Sequence, residues 1–339
     1  AVTESLGGRG CEAVNVAIDG GAAEVGGEIR RALVGPVPTH VVLVPAGGHD
    51  LETANAGLAR FSEIARELAS AVEGSRLWVV TQHAVAAGLQ DAESGCDLMH
   101  AALWGFGRVF ALESPSHWGG LIDVSADAQA ALSAESVSTE LLADSDEDQI
   151  AWRAGTRLVP RLAQLVTSSD GIMLSPDAVY LVTGGTGALG KRCARWLALR
   201  GAKNLLLASR RGAAAEGVAE FSAELGQIGV SVEIMAADVS RREDVDRLIQ
   251  TASNDGRRLA GIIHAAGVDE QCSVETIDSE HLQRVFVSKA LGAWWLHEQT
   301  RGLDLDFFAL FSSMSAVLGS VNRGVYAAAN AVLDALAHE

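Results

Sequence analysis

Val179-Tyr180-Leu181-Val182-Thr183-Gly184-Gly185-Thr186-Gly187-Ala188-Leu189-Gly190 is the stretch that decides the fold of this chain. A short apolar run, long enough for one buried strand, closes on a glycine-rich turn, and Lys191–Arg200 continues with helical character. Alone, Gly185-x-Gly187-x-x-Gly190 marks only a tight turn. Between a strand and a helix it means more. Glycines let the backbone turn sharply and approach a pyrophosphate, and the helix N-terminus offers it free N–H groups.

The alternation continues on both sides. Downstream, Asn204–Ala208, Val232–Ala236, Gly261–His264 and Phe307–Phe311 read as further strands, with helices near 215–226, 241–254, 279–299 and 325–337. Upstream, Val41–Pro45, Leu77–Thr81 and Leu121–Val124 suit buried parallel strands. Leu51–Val72 and Asp97–Leu112 carry helical periodicity, and Ile150–Pro160 reads as two strands around a turn. No upstream strand is followed by a phosphate loop; Val44-Pro45-Ala46-Gly47-Gly48 comes nearest, with the wrong spacing. Ser168–Asp177 is rich in turn formers. The expected fold class is α/β, as two subdomains with parallel doubly wound sheets. The boundaries are 1–167, a linker at 168–177, and a nucleotide-binding subdomain at 178–339.

With 339 residues and 48% hydrophobic content, the chain can bury two ordinary cores. A formal net charge of −17 argues against nucleic acid or an anionic membrane surface as a main partner. The cysteines, Cys11, Cys96, Cys193 and Cys272, stand far apart without a metal-binding spacing. No metal site is expected. Reduced thiols and the lack of a secretory signal or an 18-residue apolar run lead to the expectation of a cytoplasmic protein. The opening Ala1-Val2-Thr3 lacks an initiator methionine, so the chain is expected to be a piece of a larger polypeptide.

The residues after the second strand of the nucleotide-binding half choose the dinucleotide. NAD sites place an acidic residue there to hold the ribose 2′-hydroxyl. Ser209-Arg210-Arg211 stands here instead, and two guanidiniums suit a 2′-phosphate. The expected cofactor is therefore NADPH. It would be cradled by Thr183, Gly184, Gly185, Thr186, Gly187, Ala188, Leu189 and Gly190, with Asp238 and Val239 beside the adenine. His264, Ala265, Ala266 and Gly267 would pass beneath it. The chain has only two tyrosines, and one, Tyr326, lies 13 residues after Ser313, 37 after Lys289 and four before Asn330. Each of the four has an ordinary reading: a surface lysine, a strand-end hydroxyl shared with Ser312, a half-buried phenol, a helix amide. Together they supply the groups needed to reduce a carbonyl.

These motifs resemble the short-chain dehydrogenase/reductase superfamily, and within it the ketoreductase domains of modular type I polyketide synthases. The resemblance rests on Thr183–Gly190, Ser209-Arg210-Arg211-Gly212, His264–Gly267, Phe311-Ser312-Ser313 and Tyr326-Ala327-Ala328-Ala329-Asn330. Leu103-Trp104-Gly105-Phe106-Gly107-Arg108, Trp118–Asp123 and Arg157–Leu162 extend it into the first half. It implies that 1–167 is a degenerate, structural Rossmann-like subdomain and that 178–339 is catalytic. It implies Tyr326 as proton donor, Ser313 as the group polarising the substrate carbonyl, and Lys289 as the cation favouring the phenolate and holding the nicotinamide ribose with Tyr326. Asn330 would fix Lys289 or a relay water; most of the superfamily has lysine at the Asn330 place, and polyketide ketoreductases exchange the two. The implied substrate is a β-ketoacyl thioester on an acyl carrier protein, within a synthase of neighbouring domains.

Some features depart from the family. Asp269-Glu270-Gln271 stands where one stereochemical class has Leu-Asp-Asp, and Leu318 where the other has tryptophan. The missing aspartate pair points towards L-hydroxy products, and Arg323 matches neither common pattern. The family also continues beyond the position of Glu339 with a strand, a lid helix and a last strand. The rival readings are the ketoreductase of a multifunctional fatty acid synthase and a redox-silent or epimerising relative. A sugar-nucleotide epimerase would favour NAD and a lysine at the Asn330 place.

Overall fold

The computed structural model describes residues 1–12, 25, 29, 40–46, 50–70, 74–88, 95–125, 130–164 and 174–339. In chain order the first half gives α1 (Val2–Gly8), β1 (His40–Leu43), α2 (Leu51–Ala69), β2 (Arg76–Gln82), α3 (Leu98–Glu113), β3 (Trp118–Val124), α4 (Ala130–Leu142), β4 (Gln149–Arg153) and β5 (Thr156–Leu158). The second half gives β6 (Val179–Thr183), α5 (Ala188–Leu199), β7 (Asn204–Ser209), α6 (Val218–Gln227), β8 (Ser231–Ala236), α7 (Arg242–Ala252), β9 (Leu259–His264), α8 (Ser279–Leu282), α9 (Gly292–Thr300), β10 (Phe307–Leu310), α10 (Ser315–Leu318) and α11 (Gly324–Leu336). Most of the linker expected at 168–177, and the end of the Val44–Gly48 turn, lie outside the described residues. The helix α4 is an addition that the sequence pattern did not signal.

Two compact units form, and they do not follow chain order. One contains Ala1–Ala163, Asp269–Leu282 and Ser313–Glu339; the other contains Gln164–Val268 and Gln283–Ser312.

In the first unit the strands lie in the order β1-β2-β3-β4-β5, parallel except for β5, which returns antiparallel to β4. Alternate residues bury opposite faces, as a pleated strand requires. Trp78, Val80, Ile122 and Val124 pack with Val137 and Leu141 of α4. The C-terminal strand ends are sealed by polar side chains. Asp123, wholly buried, accepts from Thr81 Oγ1 at 2.6 Å, from the Ala84 N–H at 2.9 Å and from Arg153 Nη2 at 2.6 Å. Trp104 Nε1 donates to Thr81 Oγ1 at 2.8 Å, closing the cluster.

The second unit has the order β10-β9-β6-β7-β8, all parallel. The chain starts in the middle at β6, runs outward to β8, then crosses over to β9 and β10. That reversal leaves a crevice at the strand ends beside β6, where open α/β sheets bind ligands. Tyr180, Val182, Leu205 and Leu207 face a layer including Leu197, Phe221 and Leu225. Val179, Leu181, Leu206 and Ile262 face Val245, Leu248 and Leu296. Each such side chain, fully buried, contributes about 1.5–3 kcal/mol of hydrophobic stabilisation.

The helix expected at 279–299 is composite. Between α8 and α9 the residues Gln283–Leu291 form a π-helical stretch. Such widened turns are rare and gather at functional sites, and this one carries Lys289.

Candidate active site

The glycine loop is built as its sequence implies. Gly184 has φ +67°, the left-handed region that glycine occupies without strain. A Cβ on it would come within 2.7 Å of the Ala265 carbonyl oxygen, and one on Gly185 within 2.8 Å of Leu207 Cβ. A Cβ on Gly190 would strike the Gly184 backbone, so only glycine lets α5 start this close to β6. Gly187 N–H donates to Gly184 O at 2.9 Å, closing the turn. Gly187, Ala188 and Leu189 remain exposed, leaving the start of α5 open to a phosphate.

At the end of β7, the Gly212 N–H donates to Ser209 Oγ at 3.1 Å, which fixes the turn. Arg210 and Arg211 are exposed, and neither has an ion-pair partner among the described residues. Asp238 accepts from the Ser240 N–H at 3.1 Å and hydroxyl at 2.7 Å, while Val239 is buried. The glycine-lined cradle and the bare start of α5 fit a dinucleotide.

The His264 ring, at the start of the segment expected to pass beneath the cofactor, is wholly buried. Its Nδ1 lies 2.8 Å from Thr183 Oγ1 and its Nε2 3.0 Å from the Lys289 carbonyl oxygen. It therefore ties the ends of β6 and β9 to the π-helical turn. Burial holds its pKa down to about 4, and the nearby Lys289 charge acts in the same direction. Ala265 and Ala266 are half-buried and Gly267 is exposed. Lys289 is not a surface lysine: it is 6% exposed, and a Cβ on Gly267 would touch its Cγ, Cδ and Nζ at 3.4 Å.

Ser313, Tyr326 and Asn330 belong to the first unit and Lys289 to the second. Tyr326 sits in the first turn of α11, half-buried, while Ala327, Ala328 and Ala329 are completely buried. The reason lies in α3. A Cβ on Gly105 would come within 2.5 Å of the Ala327 carbonyl oxygen and 2.9 Å of Ala328 Cα. The two helices thus touch backbone to backbone, and only glycine and alanine allow it. Asn330, wholly buried, donates from Nδ2 to the Tyr326 carbonyl at 2.7 Å, one turn back. Ser313 Oγ accepts from the Ser315 N–H at 3.2 Å and from Ser315 Oγ at 3.0 Å. Its own proton is left to donate outward. Ser315 was missed by sequence reasoning; a Ser-x-Ser at a strand end was the available signal. Arg108, which the sequence places only in a family-like segment, donates to the Ala316 carbonyl, and burial lowers its pKa to about 10.

The second tyrosine is structural. Tyr180 OH accepts from the Ser175 N–H at 2.8 Å, and its ring stacks on Phe307 with centroids 6.0 Å apart. Among the described residues no His/Cys/Asp/Glu cluster could hold a metal, and no helix is long and apolar enough to cross a membrane.

A glycine cradle at a strand-order reversal defines a dinucleotide-binding oxidoreductase fold. Residues 178–339 match the KR domain family, and residues 7–162 match the Rossmann fold domain of the polyketide synthase extender module SpnB. The polyketide synthase GfsA of Streptomyces halstedii is 40% identical over 308 residues, 90% of this chain and 4% of that protein. Erythronolide synthase EryA3 of Saccharopolyspora erythraea is 38% identical over 319 residues, 94% of this chain and 10% of that protein. The chain thus spans a small fraction of these curated relatives. A solved A1-type ketoreductase superposes with a TM-score of 0.85 at 38% identity, covering 99% of this chain and 72% of that one. The chain belongs to the ketoreductase domains of modular polyketide synthases.

Proposed function

We propose that this domain reduces a β-ketoacyl thioester, carried on the phosphopantetheine arm of an acyl carrier protein, to the β-hydroxyacyl thioester with NADPH. The carrying observation is Tyr326: a half-exposed phenol in the first turn of a helix whose neighbouring alanines are all buried. A tyrosine kept only for packing would be sealed, as Tyr180 is.

When bound, the cofactor supplies the hydride. Arg210 and Arg211 would hold its 2′-phosphate, and the N–H groups at the start of α5 its pyrophosphate. Ser313, whose oxygen already accepts from Ser315, would donate its proton to the substrate carbonyl and polarise it. Tyr326 would give its phenolic proton to the alkoxide oxygen as it forms. The resemblance assigns Lys289 to the nicotinamide ribose and to favouring the phenolate, since a free tyrosine has a pKa near ~10. Asn330 would hold the backbone at Tyr326. In this reading 178–339 is the catalytic subdomain and 1–167 supports it.

The test is NADPH oxidation by the polypeptide that carries this chain, with a β-ketoacyl N-acetylcysteamine thioester as substrate. NADH and Tyr326→Phe are run alongside. Turnover selective for NADPH and reduced about 10²- to 10⁴-fold in the variant supports the reading. A variant that keeps most of its rate removes Tyr326 as proton donor. Tight NADPH binding without turnover in the parent leaves a redox-silent or epimerising domain.

A further inference from the structure

Glu113 ends α3, in the half of the chain that has no phosphate loop, yet its carboxylate is spent on two distant loops. Its Oε2 accepts the Val274 N–H at 2.8 Å, and its Oε1 accepts the Asn322 N–H at 2.7 Å. The two loops are also joined to each other. The Cys272 N–H donates to the Asn322 carbonyl at 2.8 Å, and Arg323 Nε donates to Asp269 Oδ1 at 2.9 Å. The backbone of Asn322 is therefore gripped on both sides, with φ at +64°. Asparagine is among the few non-glycine residues that enter this left-handed region readily, and the two backbone bonds hold Asn322 in it. Asn322 leads directly into α11, and Tyr326 follows four residues later.

We propose that Glu113 is a positioning residue: through Asn322 it sets the angle at which the Tyr326 helix begins, and through Val274 it locks the 269–282 segment to that entry. The inference rests on the ketoreductase reading above. The chemistry requires a carboxylate. Two backbone donors converge on one side chain, and only an ionised acid presents acceptors to both. Glutamine has nearly the same shape but one acceptor, and its amino group would face the other N–H. Arg108 reinforces the same stretch by binding the Ala316 carbonyl, so α3 acts as a template for the loop leading from Ser313 to Tyr326.

The test is Glu113→Gln in the whole polypeptide, with Glu113→Asp as a second variant that keeps the charge and shortens the reach. Hydrogen exchange is measured at amides 272–276 and 320–326. NADPH affinity, kcat, KM and the configuration of the hydroxyl product are measured with a β-ketoacyl N-acetylcysteamine thioester. The expected result is faster exchange confined to those two stretches, an NADPH Kd within about twofold of the parent, kcat lowered about ten- to a hundredfold, and an eroded product configuration. A role in stability alone would reduce the folded fraction without altering the configuration made by the remainder. Unchanged exchange at both stretches overturns the clamp. Faster exchange with parental kcat and product configuration overturns the positioning role. Parental turnover, measured alongside, judges the ketoreductase reading separately, and the exchange arm judges the clamp whether or not turnover is seen.

Discussion

The two sheets treat the C-terminal ends of their strands in opposite ways. In the first, where β1 to β5 follow one another in chain order, the ends of β2 and β3 are filled by Thr81, Trp104, Asp123 and Arg153. In the second, where the order reverses beside β6, the β6 end carries glycines, and Thr183 and His264 pair in the buried layer beneath the loop. The same β-α material thus yields a sealed end and an open one. Binding capacity comes from leaving backbone N–H groups bare at a reversal point. Side chains that satisfy one another take that capacity away.

The largest expected effect is at the seal. Asp123→Ala takes away the buried carboxylate that accepts from Thr81, from the Ala84 N–H and from Arg153, so the chain should lose about 3–5 kcal/mol in denaturant unfolding. NADPH affinity of the folded fraction should not change. A loss below about 1 kcal/mol would mean that the ion pair is an ornament of this sheet.

Next is the open end, read through pH. His264 is held at about 4, against an ordinary value of 6.5, by burial. The unfolded chain takes up this proton as pH falls through 6.5, and the folded chain does so only near 4. The neutral ring therefore adds stability above pH 6.5 that is lost progressively down to pH 4, amounting to about 3 kcal/mol. The slope of unfolding free energy against pH should flatten across that window in His264→Gln. An unchanged slope would show that some other group carries the acid sensitivity.

The smallest is at the rim. Arg210→Ala with Arg211→Ala should lower the preference for NADPH over NADH by about 2 kcal/mol, roughly thirtyfold, in the ratio of kcat/KM values. If the ratio holds, the 2′-phosphate is read elsewhere and the openness of the second sheet is less specific than its arginines imply.

Much of this contrast is legible in the sequence. The strand, turn and helix around Gly185–Gly190 are local, and Gly185 and Gly190 sit where their neighbours leave no room for a Cβ. The strands of both sheets follow from apolar runs. What the sequence conceals depends on distant partners. Nothing near Ala327 announces that its carbonyl lies against Gly105. So the sorting of 269–282 and 313–339 with the first half of the chain could not be read from local pattern. The bonds of His264 to Thr183 and to the Lys289 carbonyl depend on strand pairing and on a π-helical turn that no periodicity reveals. Ser313 was recognisable as a strand-end hydroxyl, but not that Ser315 occupies its lone pairs.

The grip of Glu113 on Asn322, 209 residues further along, sets a timetable for the ribosome. At about 5–20 residues per second, the partner of α3 is synthesised roughly 10–40 s after α3 itself. For that interval Gly105 and its flanking apolar side chains have no α11 to meet. The nascent chain must carry this uncovered helix face past the whole of the nucleotide-binding unit, which makes it a natural point of engagement for a chaperone.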